Sequence, residues 1–279
     1  MKFRIVTDSS ANTFSMPGVD LVSVPLKIVT AETEYVDDAA LDVNGMIDAL
    51  QQYKGKSGSA CPNTEEYLQA FEGADRIFVF TITRNLSGSY SAAVTAAQEY
   101  ECAHPGAKVW VADTLSVGPE VLLHLEHLCE GIRCGETFET LSVRLEQRIK
   151  NTRLVFALKS LTNLARNGRV SPVVAKMAGI LGIRLVGRAS DEGTLEPLHK
   201  CRGEEKALAA IVNEMKERGW CGGAVRIAEC QAKETAAALK RRLRMIFPKA
   251  DIRIAPCTGL CSFYAESGGI LVGYEGDMG

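Results

Sequence analysis

The chain has 279 residues, of which 46% are apolar and 24% charged, with a formal net charge of −2. That length favours two domains over one, and the balanced charge gives no field to draw the protein to nucleic acid or an anionic membrane. No apolar run approaches the ~18 residues of a membrane span. The opening Met1-Lys2-Phe3-Arg4-Ile5-Val6 passes at once into a strand pattern. It lacks the apolar stretch and small-residue cleavage site of a signal peptide, so a cytoplasmic protein is expected. Nine cysteines, an odd number, point in that setting to reduced thiols and not to a disulfide framework. Cys129 with Cys134 and Cys257 with Cys261 have neither Cys-x-x-Cys spacing nor, for the second pair, a nearby histidine, so no metal is expected.

In chain order, Phe3 to Thr7 reads as a first strand ending in the turn-forming Asp8-Ser9-Ser10. Asp20 to Val29 is a second extended segment, bent or at an edge because of Pro25. Asp42 to Tyr53 has helical spacing, with Met46, Ile47 and Leu50 on one face. Gly55 to Asn63 is a polar loop, and Thr64-Glu65-Glu66 opens the next helix. Arg76 to Thr81 is a buried strand, followed by Asn85 to Tyr90 and an alanine-rich helix to about Tyr100. Lys108 to Ala112 is another strand, closing with Asp113-Thr114. Pro119 opens a helix, where its missing amide is not needed, and a further helix spans Thr137 to Lys150. This strand-loop-helix rhythm predicts a mainly parallel α/β sandwich over residues 1–152.

From Arg153 the rhythm changes. Leu154 to Leu158 reads as a strand, and Ile183 to Gly187 with Thr194 to Lys200 as a hairpin about Asp191-Glu192-Gly193. A helix over Glu204 to Arg218, a strand over Ala224 to Cys230 and a helix over Ala232 to Phe247 follow, then strands over Asp251 to Pro256 and Gly269 to Tyr274. Hairpins mixed with helices predict an α+β two-layer domain over residues 153–279. No proline-rich or glycine-serine linker separates the halves, so they should pack together with the ligand site at their seam.

Four hydroxyl-rich loops stand at strand ends: Asp8-Ser9-Ser10, Ser57 to Asn63, Asn85 to Tyr90, and Asp113-Thr114. In open α/β sheets such loops face ligands, and helix amino termini there suit a carboxylate or a phosphate. Ser87 with Gly88 is the best placed, although from the loop alone helix capping is the favoured reading of a serine at that position. His124 and His127, three residues apart, are expected on a solvated helix face. So is the basic cluster Lys240-Arg241-Arg242-Arg244.

These segments resemble the DegV family. Val6-Thr7-Asp8-Ser9-Ser10, Val24-Pro25-Leu26-Lys27-Ile28 with Tyr35-Val36-Asp37, and Ser59-Ala60-Cys61-Pro62-Asn63 are similar to its first segments. Leu86-Ser87-Gly88-Ser89-Tyr90, Val111-Ala112-Asp113-Thr114, Asn167-Gly168-Arg169 and Lys200-Cys201-Arg202-Gly203 follow in family order. The resemblance implies a non-catalytic, cofactor-free lipid-binding protein that holds a long-chain fatty acid, as acyl carrier for a fatty-acid kinase. It implies Ser59, Ser87 and Gly88 at the carboxylate, with Arg169 or Arg202 as cationic partner. Near the end the pattern departs, and Cys261 stands nearest the position of a family histidine.

The alternative is a serine hydrolase acting on acyl esters, built from Ser87, Asp113 and a histidine. No Gly-x-Ser-x-Gly elbow surrounds Ser87. Nor is there a phosphate-binding Gly-x-x-x-x-Gly-Lys-Ser/Thr loop, which removes the nucleotide-binding reading.

Overall fold

A computed structural model describes residues 2–171, Val174 and 182–276. The end of the predicted second domain, residues 277–279, lies outside them. The first sheet is wholly parallel, in the order β2 (Leu21–Val24), β1 (Phe3–Asp8), β6 (Arg76–Thr81), β7 (Lys108–Asp113). Its central strand shows why the sequence reads as a continuous apolar run. Ile77 and Val79 face the helices α2 (Thr64–Phe71) and α3 (Ser89–Ala103), while Phe78 and Phe80 face α4 (Pro119–Arg133) and α5 (Phe138–Asn151). A strand covered on both faces has no polar side to alternate with.

Pro25 divides the second extended segment. Beyond it the chain leaves the parallel sheet and forms β3 (Lys27–Val29), which pairs antiparallel with β4 (Glu34–Val36) and β5 (Gly58–Ala60). Helix α1 (Val43–Gln52) lies between β4 and β5 in the chain, its start capped by the Asp42 carboxylate on the Gly45 amide at 3.0 Å.

The described strands from Thr152 onward form a six-stranded sheet. Its order is β10 (Leu195–Arg202), β9 (Ile183–Ala189), β8 (Thr152–Leu158), β13 (Gly269–Glu275), β11 (Val225–Cys230), β12 (Ile252–Pro256). Only β11 and β12 run parallel in it. One face, with Val155 and Ala157 of β8, packs on α7 (Glu204–Glu217) and α8 (Lys233–Ile246). The other face, with Leu154, Phe156 and Leu158, meets α1 and α9 (Gly259–Ala265).

Helix α4 is the piece both sheets share: its apolar side joins the first sheet's core, and it also packs on β13, β11 and β8. Gly273 permits that approach, because a Cβ there would stand 2.4 Å from the Glu120 amide nitrogen. Arg226 of β11 fastens the helix with hydrogen bonds to both Glu126 carboxylate oxygens, at 2.9 and 2.6 Å. The expectation that His124 lies on a solvated face is therefore overturned. A helix held between two sheets has little free face, and His124 is fully buried against Phe80.

The β9–β10 hairpin reaches back to the first sheet. At its tip Gly193 has φ +77°, and a Cβ there would lie 2.2 Å from Thr83 Oγ and 2.9 Å from the Leu115 Cα. Asn85 Nδ2 donates to the Glu192 carbonyl across the same contact at 2.5 Å. Gly193→Ala is expected to lower stability by about 1–3 kcal/mol, through left-handed strain and this clash. A urea midpoint unchanged from wild type would contradict it.

Candidate functional site

Three local structures converge where the halves meet. Strand β5 carries Ser59 opposite Ile28 of β3. The loop after β6 carries Ser87 and Gly88, with Gly88 as the cap residue of α3. Helix α6 (Thr162–Arg166) ends in the turn Asn167-Gly168-Arg169, where Gly168 takes φ +72°. Asn167 Nδ2 donates to the Ser57 carbonyl at 3.3 Å, and Arg169 Nε to the Leu86 carbonyl at 3.2 Å. The turn is thus bonded to both loops.

These parts wall a cavity of about 320 Å³. Ser59, Cys61, Ser87, Gly88, Arg169 and Tyr264 contribute to it, and most of the remaining wall is aliphatic or aromatic. Leu154, Phe156 and Leu158 of β8 lie along one side. A mainly apolar cavity of this size with a few placed polar groups suits a small apolar ligand with a polar end.

The polar groups are available. Ser87 Oγ accepts from the Ser89 amide at 3.3 Å, and its own proton has no acceptor among the described residues. Gly88 lets the Cys61 thiol approach, within 3.3 Å of where a Cβ would stand. The Arg169 guanidinium is half-buried and bonded to the carbonyls of Leu86 and Asn167. Among the described residues it has no acidic partner within 4.0 Å. A cation without a counter-charge beside two hydroxyls makes a receptor for an anion.

Of the sequence-predicted site residues, Ser59, Ser87, Gly88, Arg169 and Cys261 line this cavity and Arg202 does not. Arg202 is the exposed last residue of β10, paired with Ile183. Cys261 is a wall residue: its thiol donates to the Ser10 carbonyl at 3.7 Å, and burial pushes its pKa well up, so it stays neutral. Tyr264 escaped the sequence reading, although its hydroxyl lies 2.7 Å from Ser59 Oγ. Its phenol in the departing carboxyl-terminal segment was the available signal.

Two of the hydroxyl-rich loops are structural. Asp8, Ser9 and Ser10 are fully buried. Asp8 accepts from the Ile82 amide at 3.0 Å and from Ser89 Oγ at 2.6 Å, and burial raises its pKa. Thr114 Oγ donates to the Thr81 carbonyl at 2.7 Å, and Asp113 pairs with Arg84 at 3.1 Å. Asp37 belongs to this framework. Its two oxygens accept the amides of Gly259 and Leu260 at 2.6 and 2.9 Å, holding the start of α9 against the first half.

No hydrolytic triad is assembled: among the described residues no histidine lines the cavity, and Asp113 is engaged by Arg84. Among the described residues, no group of three or more His, Cys, Asp or Glu could hold a metal ion, and no helix is long and apolar enough to cross a membrane.

The family model for uncharacterised proteins of the DegV family matches residues 2–275. A DegV domain-containing protein of Streptococcus pneumoniae is 42% identical, over 99% of this chain and 100% of its own length. Among solved structures, the S. pneumoniae Fatty Acid Kinase (Fak) B3 protein loaded with linoleic acid superposes with a TM-score of 0.97 at 42% identity, covering 99% of this chain and 100% of that one. A DegV family protein from Eubacterium eligens loaded with heptadecanoic acid gives a TM-score of 0.96 at 40% identity, with the same coverage. Matched from end to end by the family model and by relatives of this identity, the chain belongs to the DegV family.

Proposed function

We propose that the protein binds one long-chain fatty acid, with its carboxylate at Ser59, Ser87 and Arg169 and its tail along Leu158, Phe156 and Leu154. The observation that carries this reading is an apolar cavity provided with two hydroxyls and a cation that has no counter-charge among the described residues. Tyr264, bonded to Ser59, orients that serine and makes a fourth contact. The tail supplies affinity at ~0.8 kcal/mol per buried methylene, and the head group supplies orientation. The ligands carried by the S. pneumoniae and E. eligens relatives favour the same class. In this reading residues 1–152 and 153–279 act as two domains closing on the lipid in the cytoplasm. The protein does no chemistry alone and presents the carboxylate to a separate fatty-acid kinase.

Native mass spectrometry of the purified protein should show a bound mass, identified as a fatty acid after solvent extraction. An apo mass with no extractable lipid would overturn the proposal. Ser59→Ala and Ser87→Ala should each weaken binding by about 1–3 kcal/mol, roughly five- to a hundredfold, because each removes a bond to a charged group. If affinity stays put while thermal stability drops about 1 kcal/mol, Ser87 is only a helix-start residue. Mixing the loaded protein with a cognate kinase and ATP should yield acyl phosphate. Tight binding without that product would leave storage or transport as the role.

A further inference from the structure

Strand β8 contributes Leu154, Phe156 and Leu158 to the cavity wall. Alternate residues share a strand face at ~6.6 Å spacing, so Leu158, Phe156, Leu154 and Thr152 form one row. Leu158 leads into α6 and the Arg169 turn, at the carboxylate end, and Leu154 lies about 13 Å further along. Thr152, next in the row, lines a different cavity of about 300 Å³, together with Glu120, Lys150, Arg153, Asp191 and Arg218. Leu154 lines both cavities. It is 2% exposed.

The two chambers differ in chemistry. In the second, Glu120 accepts from Thr152 Oγ at 2.8 Å, and Arg218 pairs with Asp191 at 2.6 Å. A methyl end pushed into that chamber would displace water from charged groups and return no hydrogen bond. We propose that Leu154 is the partition that fixes the longest acyl chain the protein accepts. This rests on the reading of the first cavity as a fatty-acid site. Up to the partition each added methylene strengthens binding about fourfold, and beyond it the gain stops. Leu→Ala removes three carbons and opens room for about two more methylenes, whereas Leu→Phe closes the same space.

The test measures affinities for saturated fatty acids of roughly twelve to twenty-two carbons, a series of equal methylene steps, in wild type, Leu154→Ala, Leu154→Val and Leu154→Phe. Thermal melting checks each fold. The preferred length should rise by about two carbons in the alanine variant and fall by about two in the phenylalanine variant, with valine between wild type and alanine. Should alanine not fold, valine and phenylalanine still bracket wild type. Superimposable length profiles in folded variants would overturn the partition while leaving the fatty-acid reading intact. No binding of any chain by wild type would overturn both.

Discussion

Asp37→Ala is expected to destabilise the protein by about 2–5 kcal/mol and to abolish tight lipid binding with it. Asp37 is fully buried, and its removal leaves two buried amides, those of Gly259 and Leu260, without acceptors. Each such orphan costs about 1–3 kcal/mol. Burial holds the Asp37 carboxyl up at about 6 despite the two amides, so ionising it in the fold has a cost of its own. That offset keeps the loss below the simple sum of two orphans. The effect on binding follows from what hangs on α9: Tyr264 and Cys261 both wall the cavity. Asp37→Asn keeps the shape but turns one acceptor into a donor facing an amide, so it should fall between wild type and alanine. Urea midpoints and lipid affinities on the three proteins check this, and an unshifted midpoint in the alanine variant would refute it.

The second large effect is one of pH, at Glu120. Its carboxyl is buried between Ser116 and Thr152, and desolvation raises it from the ordinary 4.5 to about 7. A carboxyl raised in the fold gives up its proton first in the unfolded chain, so folding loses stability as pH climbs from about 4.5 to about 7. The span corresponds to about 3 kcal/mol. His124 acts in the opposite sense. Burial lowers it to about 3, so its neutral form favours the fold above pH 6.5, and that stability drains away as pH falls toward 3. Asp37 has the sign of Glu120 between about 4 and 6. The opposing groups flatten the wild-type profile near pH 5–6.5, and Glu120→Gln should unmask the slope. The glutamine variant should match wild type near pH 4.5 and exceed it by up to about 3 kcal/mol at pH 8. Equal stabilities at pH 8 would contradict the burial argument.

The long elements were legible because each buries a periodic apolar set. Strand β6 needed only Ile77 to Phe80, and α4 was marked by Pro119. The two larger sheets, the parallel one and the mixed one, follow from that pattern. The short pieces that build the cavity were not legible. Strand β5 is Gly58-Ser59-Ala60, three small residues at a sheet edge with no apolar alternation. Helix α9 begins with a glycine and no side-chain cap of its own. Its acceptor, Asp37, lies 222 residues away in sequence, beyond the reach of any local rule. The same distance problem hid the fate of Asp8-Ser9-Ser10. Hydroxyls at a strand end can face a ligand or close a buried network, and only the partner from Ser89 decides between them. His124 looked polar among Glu120, Glu126 and Glu130, because no single-helix pattern reports a helix covered on two sides.

Strand β13 has a consequence for how the molecule is made. It lies in the middle of the six-stranded sheet, hydrogen-bonded to β8 on one side and β11 on the other, yet it follows every other described strand. Until Gly269–Glu275 have left the ribosome, β8–β10 and β11–β12 are two fragments with bare edges turned toward each other. At ~5–20 residues per second of synthesis, the parallel sheet has several seconds to form while this second half waits. Such edges attract other unfinished chains. The cavity wall on β8 gains its β13 neighbour only with that insertion, so any binding in the cavity follows the pairing of β13 and cannot guide the earlier folding.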